Sequence, residues 1–315
     1  MAELTNPPDA EEFVAQHYGS RASQLELLGA GEWSRAYSFK LDDQESVIRF
    51  GNHGEDFAKD QVMSRFSSAE LPIPKVLELG DTSSGFFVVS ERAYGAFLDE
   101  LDGDGMRAVL PCLFRTLDAI SAIDIATNEG YGIWSPQQRG EHSTWQTALL
   151  DVARDRPRIP GWRAVLESSP TGTERFDEAY EVLSQLVATL PNERQLIHDD
   201  LLYRNVLVEG NRINAVIDWG NSMYGDHLYE AALLLYWWPW YPQWSGIDIR
   251  AELDRHWAEL GGAPPADLEQ RLLAYQIHTG LEHQVYSAFK GYWDDLERNA
   301  QQTIVLAEMA QGSNR

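Results

Sequence analysis

Along this 315-residue chain the spacing of apolar positions changes near residue 92. Upstream, short apolar runs end in turn residues and read as strands: Leu25 to Leu28, Ser46 to Phe50, Lys75 to Gly80 and Phe86 to Ser90. Ser46-Val47-Ile48-Arg49-Phe50 alternates like a half-buried strand, and Phe86 to Val89 is apolar throughout, as a central strand is. Two short helices interrupt them, one amphipathic at the start of residues 11–28 and one at Phe57 to Ser68. Leu71-Pro72-Ile73-Pro74 is an extended connector, because proline disfavours a helix at and before itself. Downstream the period becomes helical. Val109, Leu113, Leu117, Ile120 and Ile123 predict one long buried helix from Met106 to Asp124, interrupted near Pro111. Further helices are expected over Trp145 to Ala153, Phe176 to Leu190, Asp226 to Trp240, Ile249 to Leu260, Asp267 to Lys290 and Asp294 to Met309. Asn128 to Glu141 reads as loop, Arg154 to Thr173 as a surface excursion, and Gln311 to Arg315 as a frayed end. The pattern predicts an α+β chain of two domains, β-rich over residues 1–92 and mainly helical over 93–315.

Composition removes several functions. With 49 acids against 25 Lys and Arg the net charge is −24, the wrong sign for a nucleic-acid footprint. The acids are spread, 18 against 8 bases in the first hundred residues and 31 against 17 in the rest. A highly solvated surface explains that spread better than the steering of a cationic substrate. No run of eighteen apolar residues offers a membrane span. Met1 to Asp9 lacks the basic and apolar regions of a signal peptide, and the single Cys112, set in an apolar run, reads as a small buried hydrophobe. A cytoplasmic monomer is the expectation.

Chemistry concentrates between Leu196 and Gly220. His198-x-Asp200 is followed by Asn205 in the pattern H-x-D-x-x-x-x-N, and Asp218 follows thirteen residues later. Between Asn205 and Asp218, two apolar runs flank Gly210-Asn211 and predict a β-hairpin. Loop, hairpin and following acid bring Asp200, Asn205 and Asp218 to one end of a small sheet. Two of these groups suit Mg²⁺, which takes carboxylate and carbonyl oxygens together with phosphate. The third suits a proton acceptor for an attacking hydroxyl. Such a set is equipped for phosphoryl transfer.

Elsewhere the signals are weaker. Gly29-Ala30-Gly31-Glu32-Trp33-Ser34 joins two strands by a turn whose backbone amides can approach phosphate, or simply closes a hairpin. Arg49 places a cation among apolar neighbours, and Asp60 is the best-placed acid on the next helix. No Walker-type glycine loop is present.

In this order the pieces resemble the aminoglycoside phosphotransferase family, and within it the hygromycin B phosphotransferases, from about Gly29 to Trp240. The likeness is carried by Gly31 to Phe39, Leu71 to Pro74, His198-x-Asp200 to Asn205, Ala215 to Trp219, Met223 to Glu230 and Trp237-x-Pro239-Trp240. The resemblance implies a bilobal protein-kinase-like α+β fold, with a nucleotide-binding lobe to residue 92 and a helical lobe bearing the catalytic loop and substrate site. It implies ATP or GTP and Mg²⁺ as cofactors, and an aminoglycoside, a cationic small molecule, as substrate. Asp200 would be the base, Asn205 and Asp218 the metal ligands, and Arg49 the phosphate clamp, paired with an Asp60 shorter than the usual glutamate. Gly31 and Ser34 would form the phosphate loop, with Ser90 to Ala93 offering the adenine backbone hydrogen bonds. His198 has a structural role. Compared with protein kinases, Asp199 stands where they keep an arginine and no A-P-E follows, which favours a small-molecule kinase. For a polycation, Asp199, Glu230 and Glu282 are candidate ammonium partners, and Asp226 is either a fourth or a brace. Trp237 and Trp240 would flank a sugar ring or pack the core. Kinases of an amino alcohol or sugar share the catalytic set, and a silent nucleotide-binding protein is the alternative outside enzymes.

Overall fold

In the computed structural model, which describes residues 9–261 and 264–313, α1 (Ala10–Tyr18) opens the chain. The Asp9 carboxylate caps it by accepting the amides of Glu11 and Glu12. Strands β1 (Ala22–Ala30), β2 (Ser34–Leu41) and β3 (Gln44–Gly51) follow, then α2 (Gly54–Met63), β4 (Val76–Thr82) and β5 (Gly85–Glu91). They form an antiparallel sheet in the order β1-β2-β3-β5-β4. Alternation along β3 buries Ile48 and Phe50 on one face. There they meet Phe39, Phe87 and Val89, and Val14 and Tyr18 of α1 cover them. β5 lies between β3 and β4, and its Phe87, Val88 and Val89 are all buried. Residues 1–8, which include nearly all of the stretch inspected for a signal peptide, lie outside the described residues.

Next come β6 (Ala96–Phe97) and α3 (Gly103–Ser121). The expected interruption at Pro111 is absent, and the helix is continuous through it. Pro111 and Arg107, one turn before it, are both exposed, so the proline sits on the solvent side of the helix, where its missing backbone donor costs least. The presumed loop after Asn128 carries β7 (Tyr131–Trp134) and β8 (Gly140–His142), with Trp134 buried. After α4 (Trp145–Leu150) the surface excursion holds α5 (Trp162–Ser168), because Trp162 and Leu166 have fully buried side chains. α6 (Glu174–Val187) and β9 (Gln195–Ile197) lead into the hairpin β10 (Val206–Glu209) and β11 (Arg212–Val216), with Gly210 at φ 64° in its turn. β12 (Met223–Gly225), α7 (Leu228–Trp237), α8 (Ile249–Glu259), α9 (Leu268–Lys290) and α10 (Trp293–Ser313) complete the chain. α10 stays helical past Gln311, where fraying was expected, and residues 314–315 lie outside the described residues.

By their contacts the residues form two units. The first holds the residues up to Ala119, Ser135–Gln137 and Asp200–Ser222; the second holds Ile120–Trp134, Gln138–Asp199 and the residues from Met223 on. This division differs from one cut after residue 92, because residues 93–119, with β6 and most of α3, and the hairpin after Asp200 join the first unit. β10 pairs with β6, giving the sheet β11-β10-β6, and Val216 donates its amide to the Pro72 carbonyl at 2.8 Å. The second unit packs α9 against α5, α6, α7 and α10, beside the sheet β8-β7-β12-β9.

Gly280 marks the closest approach among those helices. A Cβ there would lie 2.0 Å from Thr303 Oγ1 and 2.9 Å from the Tyr236 hydroxyl, which donates to Asn299 Oδ1 at 2.8 Å. Gly280→Ala therefore overpacks the helical core and should cost about 1–3 kcal/mol. Thermal or urea unfolding measures it, and an unchanged midpoint would refute the packing described here.

Candidate active site

The first unit carries the candidate phosphate residues on two backbone segments in sparsely populated conformations. Arg204 and Asp218 both have positive φ, at 55° and 63°, which non-glycine residues adopt only when their surroundings enforce it. At Arg204 the enforcement is visible: its amide donates to Asp99 Oδ1 at 3.3 Å and its guanidinium lies over Phe97. Asn205 is buried and donates Nδ2 to the Asp200 carbonyl at 2.6 Å. That bond closes the loop under Asp200 and orients the other prong of the amide, the oxygen a cation takes, away from it. The Asn205 carbonyl in turn accepts the amide of Ile217 at 2.9 Å. Both metal-ligand candidates are thus tied to one ladder end, with Asp200 on the loop that feeds it.

Asp60 joins this ladder to the larger sheet. Its Oδ2 accepts the Arg49 guanidinium, and its Oδ1 accepts the amide of Trp219 at 2.9 Å. The short aspartate reaches both. Arg49 also lies 5.2 Å from the centre of the Phe57 ring. Burial opposes charge on Arg49, but Asp60 and Asp218 outweigh it and its pKa is raised. The Asp218 carboxylate is reachable by solvent yet densely surrounded. Desolvation, with Asp60 and Asp56 adding to it, raises its pKa, and Arg49 opposes the rise. A divalent cation relieves such crowding of negative charge. Among the described residues no three His, Cys, Asp or Glu side chains form a ready-made cage. An amide oxygen with a carboxylate fits Mg²⁺, which completes its shell with phosphate and water.

Lys59, which sequence reasoning passed over, is 2% exposed. Its Nζ donates to the carbonyls of Gly220 at 2.7 Å and Ser222 at 2.9 Å. Gly31 and Ser34 lie at the β1–β2 turn, the Gly31 amide donating to the Ser34 carbonyl at 2.8 Å. That turn rests on Gly51, where a Cβ would meet the Trp33 carbonyl at 2.8 Å. Ser90 pairs with Val47 and Val76 near the end of β5, and Ala93 follows in the irregular segment before β6. All of these residues belong to the first unit.

The remaining candidates lie in the second unit, and two of them are braces. Glu230, expected at an ammonium, is buried, and its Oε1 accepts the amides of His198 and Asp199, the latter at 3.1 Å. Asp226 is fully buried. Its Oδ2 accepts Arg271 Nε at 2.7 Å and the Tyr275 hydroxyl at 2.5 Å, and its Oδ1 accepts the Leu228 amide at 3.0 Å. Neither is placed to meet a substrate. Their partners are the reason: amides at the start of the catalytic loop and a buried guanidinium need a carboxylate more than solvent does. Glu282 is half-buried and takes Arg156 at 2.6 Å; that guanidinium and His278 hold its pKa down against desolvation. Asp199 adds its charge near Arg156 and Tyr229. Burial depresses His278 and His283 to about 4, keeping both neutral at pH 7. Trp237 is half-buried and meets Trp240 and His283 edge to face, at 5.0 and 4.3 Å. Trp240 is held by Gln302 Oε1 at 2.8 Å and by Arg298 over its ring at 3.9 Å.

A strand-borne guanidinium clamped to a helix acid, the loop carrying Asp200 and the Asn205–Asp218 pair are the arrangement of a phosphotransferase of protein-kinase-like α+β fold. The chain belongs to the phosphotransferase enzyme family, whose model matches residues 24–267. It is 33% identical over 288 residues to hygromycin-B 4-O-kinase of Escherichia coli, covering 90% of this chain and 80% of that one. Among solved structures it matches a thermostable mutant of aminoglycoside phosphotransferase APH(4)-Ia in ternary complex with AMP-PNP and hygromycin B. That match has a TM-score of 0.82 at 32% identity over 95% of this chain and 98% of that one. The GDP and kanamycin complex of another aminoglycoside phosphotransferase shares the fold alone, with a TM-score of 0.63 at 14% identity over 97% and 99% of the two chains. Among the described residues no helix is long and apolar enough to cross a membrane.

Burial raises Glu230 to about 7 against the two amides that lower it. A carboxyl held above its unfolded value binds its proton more tightly in the native state, so its contribution to stability falls as pH rises from about 4.5 to about 7. Glu230→Gln keeps an acceptor without this titration. The variant should gain on the wild type between pH 5 and pH 8, by up to about 3 kcal/mol. Parallel stability–pH curves for the two proteins would contradict the assignment.

Proposed function

We propose that this enzyme transfers the γ-phosphoryl group of ATP to a hydroxyl of hygromycin B, the 4-position named in its relative, and so confers resistance to that antibiotic. The observation that carries the substrate is the 33% identity to hygromycin-B 4-O-kinase, which runs through both units. AMP-PNP and ADP in the complexes of the solved relatives favour ATP over GTP. Residues 1–92 with Gly31, Ser34, Ser90 and Ala93 serve the nucleotide, and residues 93–315 supply the catalytic loop and substrate contacts. The protein acts as a cytoplasmic monomer, without nucleic acid.

Each residue then has work that its surroundings permit. Arg49, fixed by Asp60 and always charged, draws phosphate oxygens toward the sheet. Asn205 and Asp218 would hold Mg²⁺, whose charge when bound neutralises the phosphates flanking the bond that breaks. Asp200 accepts the proton of the attacking hydroxyl, late in a loose transition state where positioning and charge carry most of the rate. Asp199 and Glu282 receive ammonium groups, and Trp237 with Trp240 offers flat faces to the acceptor ring.

Steady-state kinetics with hygromycin B, ATP and Mg²⁺ test this reading. Asp200→Asn should lower kcat by at least ~10²-fold with little change in nucleotide affinity, the range expected for losing a positioned base. Near-wild-type turnover in that variant would remove Asp200 from the chemistry. Turnover of amino alcohols or simple sugars with none of any aminoglycoside would replace the substrate.

A further inference from the structure

We propose that Lys59 is a positioning residue of the metal site: its buried ammonium fixes the backbone behind Asp218 and thereby sets the enzyme's affinity for the divalent cation. The proposal rests on the reading of Asp218 as a metal ligand. A buried ammonium is costly unless its hydrogens are used, and Lys59 spends two of them on carbonyls 161 and 163 residues away in sequence. Those carbonyls belong to Gly220 and Ser222, within four residues after Asp218. Asp56, Lys59 and Asp60 stand at i, i+3 and i+4 of α2 and so share one face. Asp60 takes the Trp219 amide, and Asp56 lies so close to Gly220 that a Cβ there would be 2.9 Å from its Cγ. One helical turn thus grips the segment from Trp219 to Ser222.

The grip matters because Asp218 sits at φ 63°, ψ 70°, a conformation held only by what surrounds it. Asp60 alone secures one amide beside it. Without Lys59 the carbonyls of Gly220 and Ser222 would be left unmet in a buried place. The segment would turn to meet other donors, and Asp218 would leave the position in which it and Asn205 share a cation. α2 therefore does two things. Asp60 orients the phosphate cation Arg49, and Lys59 orients the metal carboxylate.

Lys59→Met removes the ammonium and keeps the buried stem. Binding of Mn²⁺, as a probe for Mg²⁺, is measured by electron paramagnetic resonance in the presence of AMP-PNP. The expected Kd rises by about 10-fold or more, as for a lost bond to a buried charged group. Metal-free AMP-PNP and hygromycin B should bind within about 2-fold of wild type on the same argument, and saturating Mg²⁺ should restore most of the turnover. A lowered melting temperature with unchanged Mn²⁺ affinity overturns the proposal, since a merely structural lysine gives that result. Should Lys59→Met not fold, Gly220→Ala, which pushes the same backbone away from Asp56, must raise the Mn²⁺ Kd; wild-type affinity there overturns it equally. Asp218→Ala separates the two levels. Mn²⁺ binding that survives it removes the metal assignment and the proposal together, whereas its loss beside normal binding in Lys59→Met removes the proposal alone.

Discussion

The Asp60 carboxylate is the point on which the proposed phosphate chemistry depends. One oxygen holds the guanidinium of Arg49 and the other holds the amide of Trp219, directly after Asp218. A single buried anion therefore fixes both the Arg49 guanidinium on β3 and the backbone directly after Asp218, beyond β11. Its cost of burial is met by a full charge on one side and a backbone donor on the other. Desolvation of Asp218, with Asp60 and Asp56 adding to it against Arg49, raises its affinity for protons.

The second unit applies the same economy to the loop that ends at Asp200. Glu230 accepts the successive amides of His198 and Asp199, and Asp226 locks α9 to the start of α7 through Arg271 and Tyr275. Buried carboxylates here serve as structural acceptors for backbone and guanidinium groups. Asp199 and Glu282 are less deeply buried, and Glu282 is paired with Arg156. Much of the −24 net charge lies on neither kind, and it is the spread of acids over the surface that dominates composition.

The strands of the first sheet, the hairpin after Asn205 and the long C-terminal helices were legible because each repeats a period over enough residues to be counted. That Asn205 and Asp218 come to one end of a ladder, with Asp200 on the loop before it, was legible because one loop and one hairpin set their spacing. What was not legible depends on partners distant in sequence. Nothing near Lys59 indicates that it is buried, since its acceptors lie about half the chain away. Glu230 and Asp226 carry the same side chains as a substrate-facing acid, and only the donors around them decide otherwise. Pro111 misled because it lies on the exposed side of its helix, where a proline is tolerated better than in the core. The stretch holding α5 misled because its prolines obscured a turn of helix anchored by Trp162.

The most direct measurement is a comparison of Asp60→Asn with Asp60→Ala in single-turnover phosphoryl transfer. Asparagine can keep the Trp219 amide but not the charge that Arg49 needs, and alanine keeps neither. A carboxylate that organises both sides predicts a graded loss, about 10-fold or more for asparagine and a further fall of similar size for alanine, in line with bonds to charged and backbone partners. Equal rates in the two variants, or wild-type rates in either, would contradict the central place given to Asp60.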